Sequence, residues 1–152
     1  MTRDIAGSPR REDVLVIALD AWPHSTRALK AARFYASRGW RTAYIGLSSP
    51  GRTGRWAPAG RSHQHDVDVR LVPMRPPATA PTRRNVAVNI ARTYAPAFMR
   101  MTKEVWRTPA DRIHVVASVL APLALIHRFR HRSHVVLDVQ ERPGAVRAHG
   151  SV

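Results

Sequence analysis

Two carboxylates close the stretch HVVLDVQERPG, His134 to Gly144. An apolar run, Val135 to Leu137, delivers Asp138, and Glu141 stands just before the proline and glycine. A third acid, Asp20, ends the run VLVIALD. An ionised carboxylate is a pure hydrogen-bond acceptor. Acids at strand ends therefore suit a ligand rich in hydroxyls or carrying a cation. The competing reading is that they cap helix N-termini or pair with arginines. The histidines raise a metal reading. His63 and His65 precede Asp66, and His127 and His131 stand one helical turn apart; either spacing can share an ion. Arginines flank both pairs, and the helical pair lacks a nearby acid, so no metal site is expected. No Ser/His/Asp set can be assembled from spacing. Asp20 is followed by Ala21, Trp22 and Pro23, so G-x-G-x-x-G and the P-loop are absent after the first run.

The surrounding pattern must position these acids. Val14 to Asp20 is a continuous apolar run, the mark of a strand buried on both faces. Apolar residues then recur at helical spacing from Thr26 to Arg38, with His24 or Ser25 as cap and Gly39 as stop. Arg41 to Leu47 reads as a second strand. Residues 48–64 are rich in Gly, Pro, Ser and Arg and read as a mobile loop. Val67 to Val72 alternates, as a third strand near an edge would. Arg83 to Arg107 reads as a helix kinked at Pro96, its core stripe formed by Val86, Ile90, Tyr94, Ala97, Met101 and Val105. Ile113 to Ser118 is a fourth strand. Ala121 to Arg132 is a helix facing the core with Leu123, Ile126 and Phe129, and His134 to Val139 is a fifth strand. The expectation is one Rossmann-like α/β domain, with a mainly parallel sheet of about five strands and helices on both faces. Residues 1–13 are expected to be disordered, 14–144 to form the domain, and 145–152 to be a tail. In such sheets ligands sit beyond the carboxyl ends of the strands, which gathers Asp20, Asp138 and Glu141 on one rim.

The 152 residues carry 25 Lys+Arg against 10 Asp+Glu, a net charge of +15. That balance attracts anionic partners, whether nucleic acid, anionic lipid or phosphorylated ligands, although an arginine-favouring codon bias also produces it. No helix-turn-helix, zinc finger or RNP-like motif accompanies the charge, so specific nucleic-acid recognition is not expected. On the long helix Arg92, Arg100, Lys103 and Arg107 share a stripe, with Phe98 and Trp106 nearby. A basic amphipathic helix of this kind can lie on an anionic membrane. The chain has no cysteine, no secretory signal and no apolar stretch near the roughly 20 residues of a membrane span. The commoner reading of such a helix is a core-packing element with a solvated basic face, so a cytoplasmic protein is the expectation, with peripheral contact at the inner face of the plasma membrane as the alternative.

Three stretches in order carry a resemblance: VLVIALDAWPHSTRALKAARFYASRGWRTAYIGL, PADRIHVVASVLAPLALIHRFRHRSH and VVLDVQERPG. Together they resemble the amino-terminal half of a family 4 retaining glycosyltransferase of the GT-B fold. That resemblance implies transfer of a sugar from a nucleotide-sugar donor to an acceptor hydroxyl, without a metal. The amino half would bind the acceptor, with Asp20, His24 and Arg27 lining the cleft after the first strand. His114 and Ser118 would stand at the fourth strand, and Asp138 and Glu141 would orient acceptor hydroxyls. The chain departs from the pattern at Val116 and Gln140, where the family often has histidine, and in lacking the Gly-rich loop. Only AVRAHGSV follows Gly144 in this sequence, so the donor half of the resembled family is expected to be missing. The expectation is a truncated or split product, inactive alone, with no cofactor of its own. It would depend on a separate donor-binding half or on self-association.

Overall fold

The computed structural model describes residues 11–22, 25–49, 56–74 and 86–138. The chain is α/β, with a six-stranded mixed sheet in the order β3-β4-β2-β1-β5-β6. The strands are β1 (Glu12–Ile17), β2 (Thr42–Leu47), β3 (Gly60–Gln64), β4 (Val67–Val72), β5 (Ala110–Val115) and β6 (His134–Leu137). All neighbours run parallel except β3, which pairs antiparallel with β4. The helices are α1 (Thr26–Ser37), α2 (Val86–Arg107) and α3 (Ala121–His131), with a 3-10 turn over Ser118–Leu120.

The apolar runs explain the layers. Successive strand residues point to opposite faces, and both faces of β1 and β2 are buried. On one face Val14, Val16, Tyr44, Val67 and Val69 pack with Ala28 and Ala32 of α1. On the other, Leu15, Ile17, Ile45, Ile113 and Val115 pack with Met101 and Val105 of α2 and Leu123 of α3. Each fully buried Leu, Ile or Val contributes about 1.5–3 kcal/mol against leaving it in water. α1 ends as its glycine demands: Gly39 takes φ 78°, and its N–H closes on the Ala36 carbonyl at 2.8 Å.

Several expectations are corrected. The sheet has six strands rather than five, because 48–64 is not all loop. GRSHQ forms β3, every residue exposed, held by the edge of β4 and by a two-residue turn. His65 and Asp66 both adopt positive φ, 51° and 61°, as the hairpin turn that matches sheet twist requires. β4 consequently lies inside the sheet, not at its edge. β1 opens at Glu12, so residues 12 and 13 are ordered, and it ends at Ile17, three residues before Asp20. β5 begins at Ala110, earlier than expected. α2 runs through Pro96. Its buried stripe is Thr93, Ala97, Met101 and Val105, while Tyr94 is 49% exposed; a straight step of four passes through 93, not 94. The side chains of Val86 and Ile90 lie outside the described residues. On α3, His127 rather than Phe129 enters the core, and Phe129 is 91% exposed. Residues 1–10 and 139–152, including the expected tail, also lie outside the described residues. No described helix is long and apolar enough to cross a membrane.

Candidate functional site

Among the parallel strands alone, the chain passes from β1 outward through β2 to β4, then returns to the other side of β1 for β5 and β6. The reversal lies between β1 and β5. Ligands of open α/β sheets bind beyond the carboxyl ends of the strands at such a switch. Two loops flank it here, Ala18–Ala21 after β1 and Val116–Ser118 after β5.

The first loop is held from β2. The Tyr44 hydroxyl donates to the Asp20 carbonyl at 2.7 Å. The Ala21 N–H donates to Ser49 Oγ at 3.0 Å. Gly46 allows the approach: a Cβ there would meet the Asp20 carbonyl oxygen, and would lie 2.8 Å from Tyr44 Cε1. Trp22 packs edge-on against Tyr44 and donates its indole N–H to Gln64 Oε1 at 2.9 Å, so β3 buttresses the same loop. The Asp20 side chain is left exposed at the crest. In the second loop Ser118 is exposed and opens the 3-10 turn that feeds α3.

Arg27, in the first turn of α1, reaches Asp138 beyond the end of β6, Nη1 to Oδ1 3.5 Å. The pair therefore spans the switch. Both side chains are substantially exposed, so it is worth about 0–1 kcal/mol. Pairing with arginine is common in this chain: Asp13 meets Arg41, Asp111 meets Arg11, Asp68 meets Arg70 and Glu104 meets Arg61.

Asp20, Arg27, Ser118 and Asp138 thus stand along the carboxyl edge. His114 lies further in. It is level with Val16 and Val136 in the ladder, half-buried under α1, with Nδ1 3.0 Å from the Tyr35 hydroxyl. Its Nε2 is buried without a partner among the described residues. Burial lowers its pKa, and the Asp138 carboxylate opposes that shift. His24 and Glu141 lie outside the described residues. The sequence reading missed Tyr44, Gly46 and Ser49. Two signals were present: a buried tyrosine needs a partner for its hydroxyl, and a glycine inside a strand marks a close backbone approach.

The histidine pairs have protein partners. His127 Nδ1 is 2.6 Å from Ser133 Oγ and its Nε2 is 2.9 Å from the Thr108 carbonyl. His131 Nε2 is 3.0 Å from the Trp106 carbonyl. His63 and Asp66 approach at 4.0 Å across the hairpin turn, both exposed. Among the described residues no three His, Asp or Glu side chains gather where an ion could sit.

A second charged surface lies on α2. Arg92, Arg100, Lys103 and Arg107 are all exposed. Arg100, Lys103 and Arg107 also border a groove against β3 and β4, where Arg61 and Arg70 add their guanidinium groups. Met99, 73% exposed, lies on the same outer side of the helix. No family model, no curated protein and no solved structure matches this chain.

Proposed function

We propose that the chain is a Rossmann-like, acceptor-side domain of a sugar-transfer system. It binds a hydroxyl-rich acceptor at the switch between β1 and β5 and takes its nucleotide sugar from a separate donor-binding unit. The observation that supports this most is the Arg27–Asp138 pair across that switch, with Asp20 and Ser118 exposed on the two flanking loops. The carboxylates would accept hydrogen bonds from acceptor hydroxyls and the serine would donate one. Arg27, 3.5 Å from Asp138, would orient its carboxylate. Among the described residues nothing on this rim supplies the chemical step of transfer, and the chain alone is expected to turn over no nucleotide sugar.

Titration with a panel of alkyl glycosides, followed by backbone amide NMR, tests the reading. Shifts should centre on Ala18–Ala21, Val116–Ser118 and Asp138. Asp20→Asn combined with Asp138→Asn should weaken binding at least ~10-fold, the equivalent of losing about 1.4 kcal/mol. Shifts scattered elsewhere, or none at millimolar glycoside, would set the reading aside. Turnover of a nucleotide sugar by the chain alone would overturn the dependence on a second unit.

A second reading is favoured by α2. Four exposed basic residues beside Met99 suit contact with an anionic membrane, at about 1 kcal/mol for each Lys or Arg at the surface. Sedimentation with vesicles containing phosphatidylserine should show binding at low salt that is lost at high salt. Lys103→Ala with Arg107→Ala should cut partitioning by roughly 30-fold, from about 2 kcal/mol. Absence of binding at low salt would sink this reading.

A further inference from the structure

The far edge of the sheet carries a surface that the ligand reading uses only at Asp138. β6 has β5 on one side and, among the described residues, no strand on the other. The Asp138 N–H donates to the Val115 carbonyl at 2.8 Å. With the β5–β6 register, that bond fixes the parity of the strand. The backbone groups of His134, Val136 and Asp138 face β5, and those of Val135 and Leu137 face outward. Open edges are usually blocked by lysine, proline or a bulge. His134 to Leu137 has none of these. The apolar surface beside it is large. Val136 and Leu137 are 40% and 43% exposed, and Leu125 and Phe129 of α3 are 63% and 91% exposed. Leu125 and Phe129 border the groove that Val135 floors.

We propose that β6 pairs antiparallel with β6 of a second copy of this chain, about a two-fold axis through Val136, joining two sheets into one. The register follows from the parity. Setting Val135 opposite the partner's Leu137, and Leu137 opposite the partner's Val135, satisfies every outward N–H and C=O of the strand. Val136 then meets its own copy on the α1 face, and His134 faces the partner's Asp138. A basic or polar group thus meets a carboxylate at each end of the seam. On the α3 face Val135 and the partner's Leu137 continue the apolar strip of Leu125 and Phe129. Opposing this, each copy carries +15, and Arg128 and Arg132 line the same groove. Association should therefore tighten as salt rises, the reverse of membrane contact through α2.

The chain has no cysteine, so Val136→Cys introduces a single thiol. Facing residues in a non-hydrogen-bonded antiparallel pair have Cα atoms about 4.5 Å apart, within disulfide reach. V136C should oxidise to a covalent dimer under a mild oxidant. H134C should not, because in this register the two copies of residue 134 are about four residues apart along the strand, roughly 13 Å. Sedimentation equilibrium of the unmodified chain should show a reversible dimer that strengthens with salt. Val136→Lys sets two ammonium groups against each other and should weaken association more than ~10-fold. Its helix and strand content by circular dichroism should stay unchanged, since Val136 is a partly exposed edge residue. A monomer at every salt concentration, cross-linking of V136C no faster than H134C, or a dimer indifferent to V136K would each overturn the proposal.

Discussion

Acidification from neutral pH to pH 4 is expected to remove about 3 kcal/mol of folding stability through His127 alone. The ring is fully buried between α3, β5 and the turn before β6. Burial pushes its pKa from 6.5 down to about 4; the hydrogen bond to the Thr108 carbonyl opposes this, and the neighbouring His131 and Arg11 reinforce it. In the unfolded chain the same ring protonates near its ordinary value. Between those two pKa values the unfolded state binds the extra proton, so stability is complete above about pH 6.5 and falls as pH drops toward 4. His114, whose pKa burial also lowers, adds in the same direction. Urea unfolding across this window should show the decline. His127→Gln should flatten the curve by most of that amount. It should also lower stability at pH 7 by about 1–3 kcal/mol, because Ser133 or the Thr108 carbonyl loses its partner. Equal pH slopes for the two proteins would show that His127 does not titrate across unfolding in this range.

His127 also shows where the sequence stops being readable. At helical spacing in APLALIHRFRH, Phe129 is the better core candidate by hydropathy. What admits His127 instead is a pair of partners far away in sequence or across a turn, Thr108 and Ser133, which periodicity cannot reveal. β3 was illegible for a related reason. GRSHQ contains no apolar residue, and its existence depends on the free edge of β4 and on a turn built from His65 and Asp66 rather than Gly or Asn. The central strands and α1 were legible because unbroken apolar runs and a glycine stop leave few alternatives. The alternation of strands and helices also put Asp20 and Asp138 at the carboxyl ends of the strands, where the structure has them; Ser118 was suggested by the resemblance alone, and Glu141 lies outside the described residues. The alternation did not reveal how the Asp20 loop is fixed, because that rests on contacts between β1 and β2 that only the packed sheet creates.

Gly46→Ala is expected to be among the most damaging single changes outside the helices, at about 2 kcal/mol or more. Gly46 lies in β2, buried, with ordinary strand φ, so the backbone itself tolerates alanine. The cost is steric. The added methyl would collide with the Asp20 carbonyl oxygen and sit 2.8 Å from Tyr44 Cε1. Neither neighbour has room to retreat. Asp20 is tied by its carbonyl to the Tyr44 hydroxyl, and the next residue is tied to Ser49. Tyr44 is fully buried against Trp22. The relief available is to lift the Asp20 loop from β2, which strips the Tyr44 hydroxyl of its acceptor; burial already pushes the pKa of that hydroxyl up, so it stays a neutral donor in need of one. Two consequences can be measured. The G46A and Y44F effects should be non-additive by about 1 kcal/mol, the double variant costing less than the sum, because both act through the same carbonyl. The amide signals of Asp20 and Ala21 should also move in G46A while those of Val116–Ser118 across the switch stay in place. Additive energies, or equal movement on both sides of the switch, would mean that Gly46 does not position the loop. The glycine would then serve the sheet alone, and the carboxylate at the crest of the β1 loop would owe its place to β1 and α1 instead.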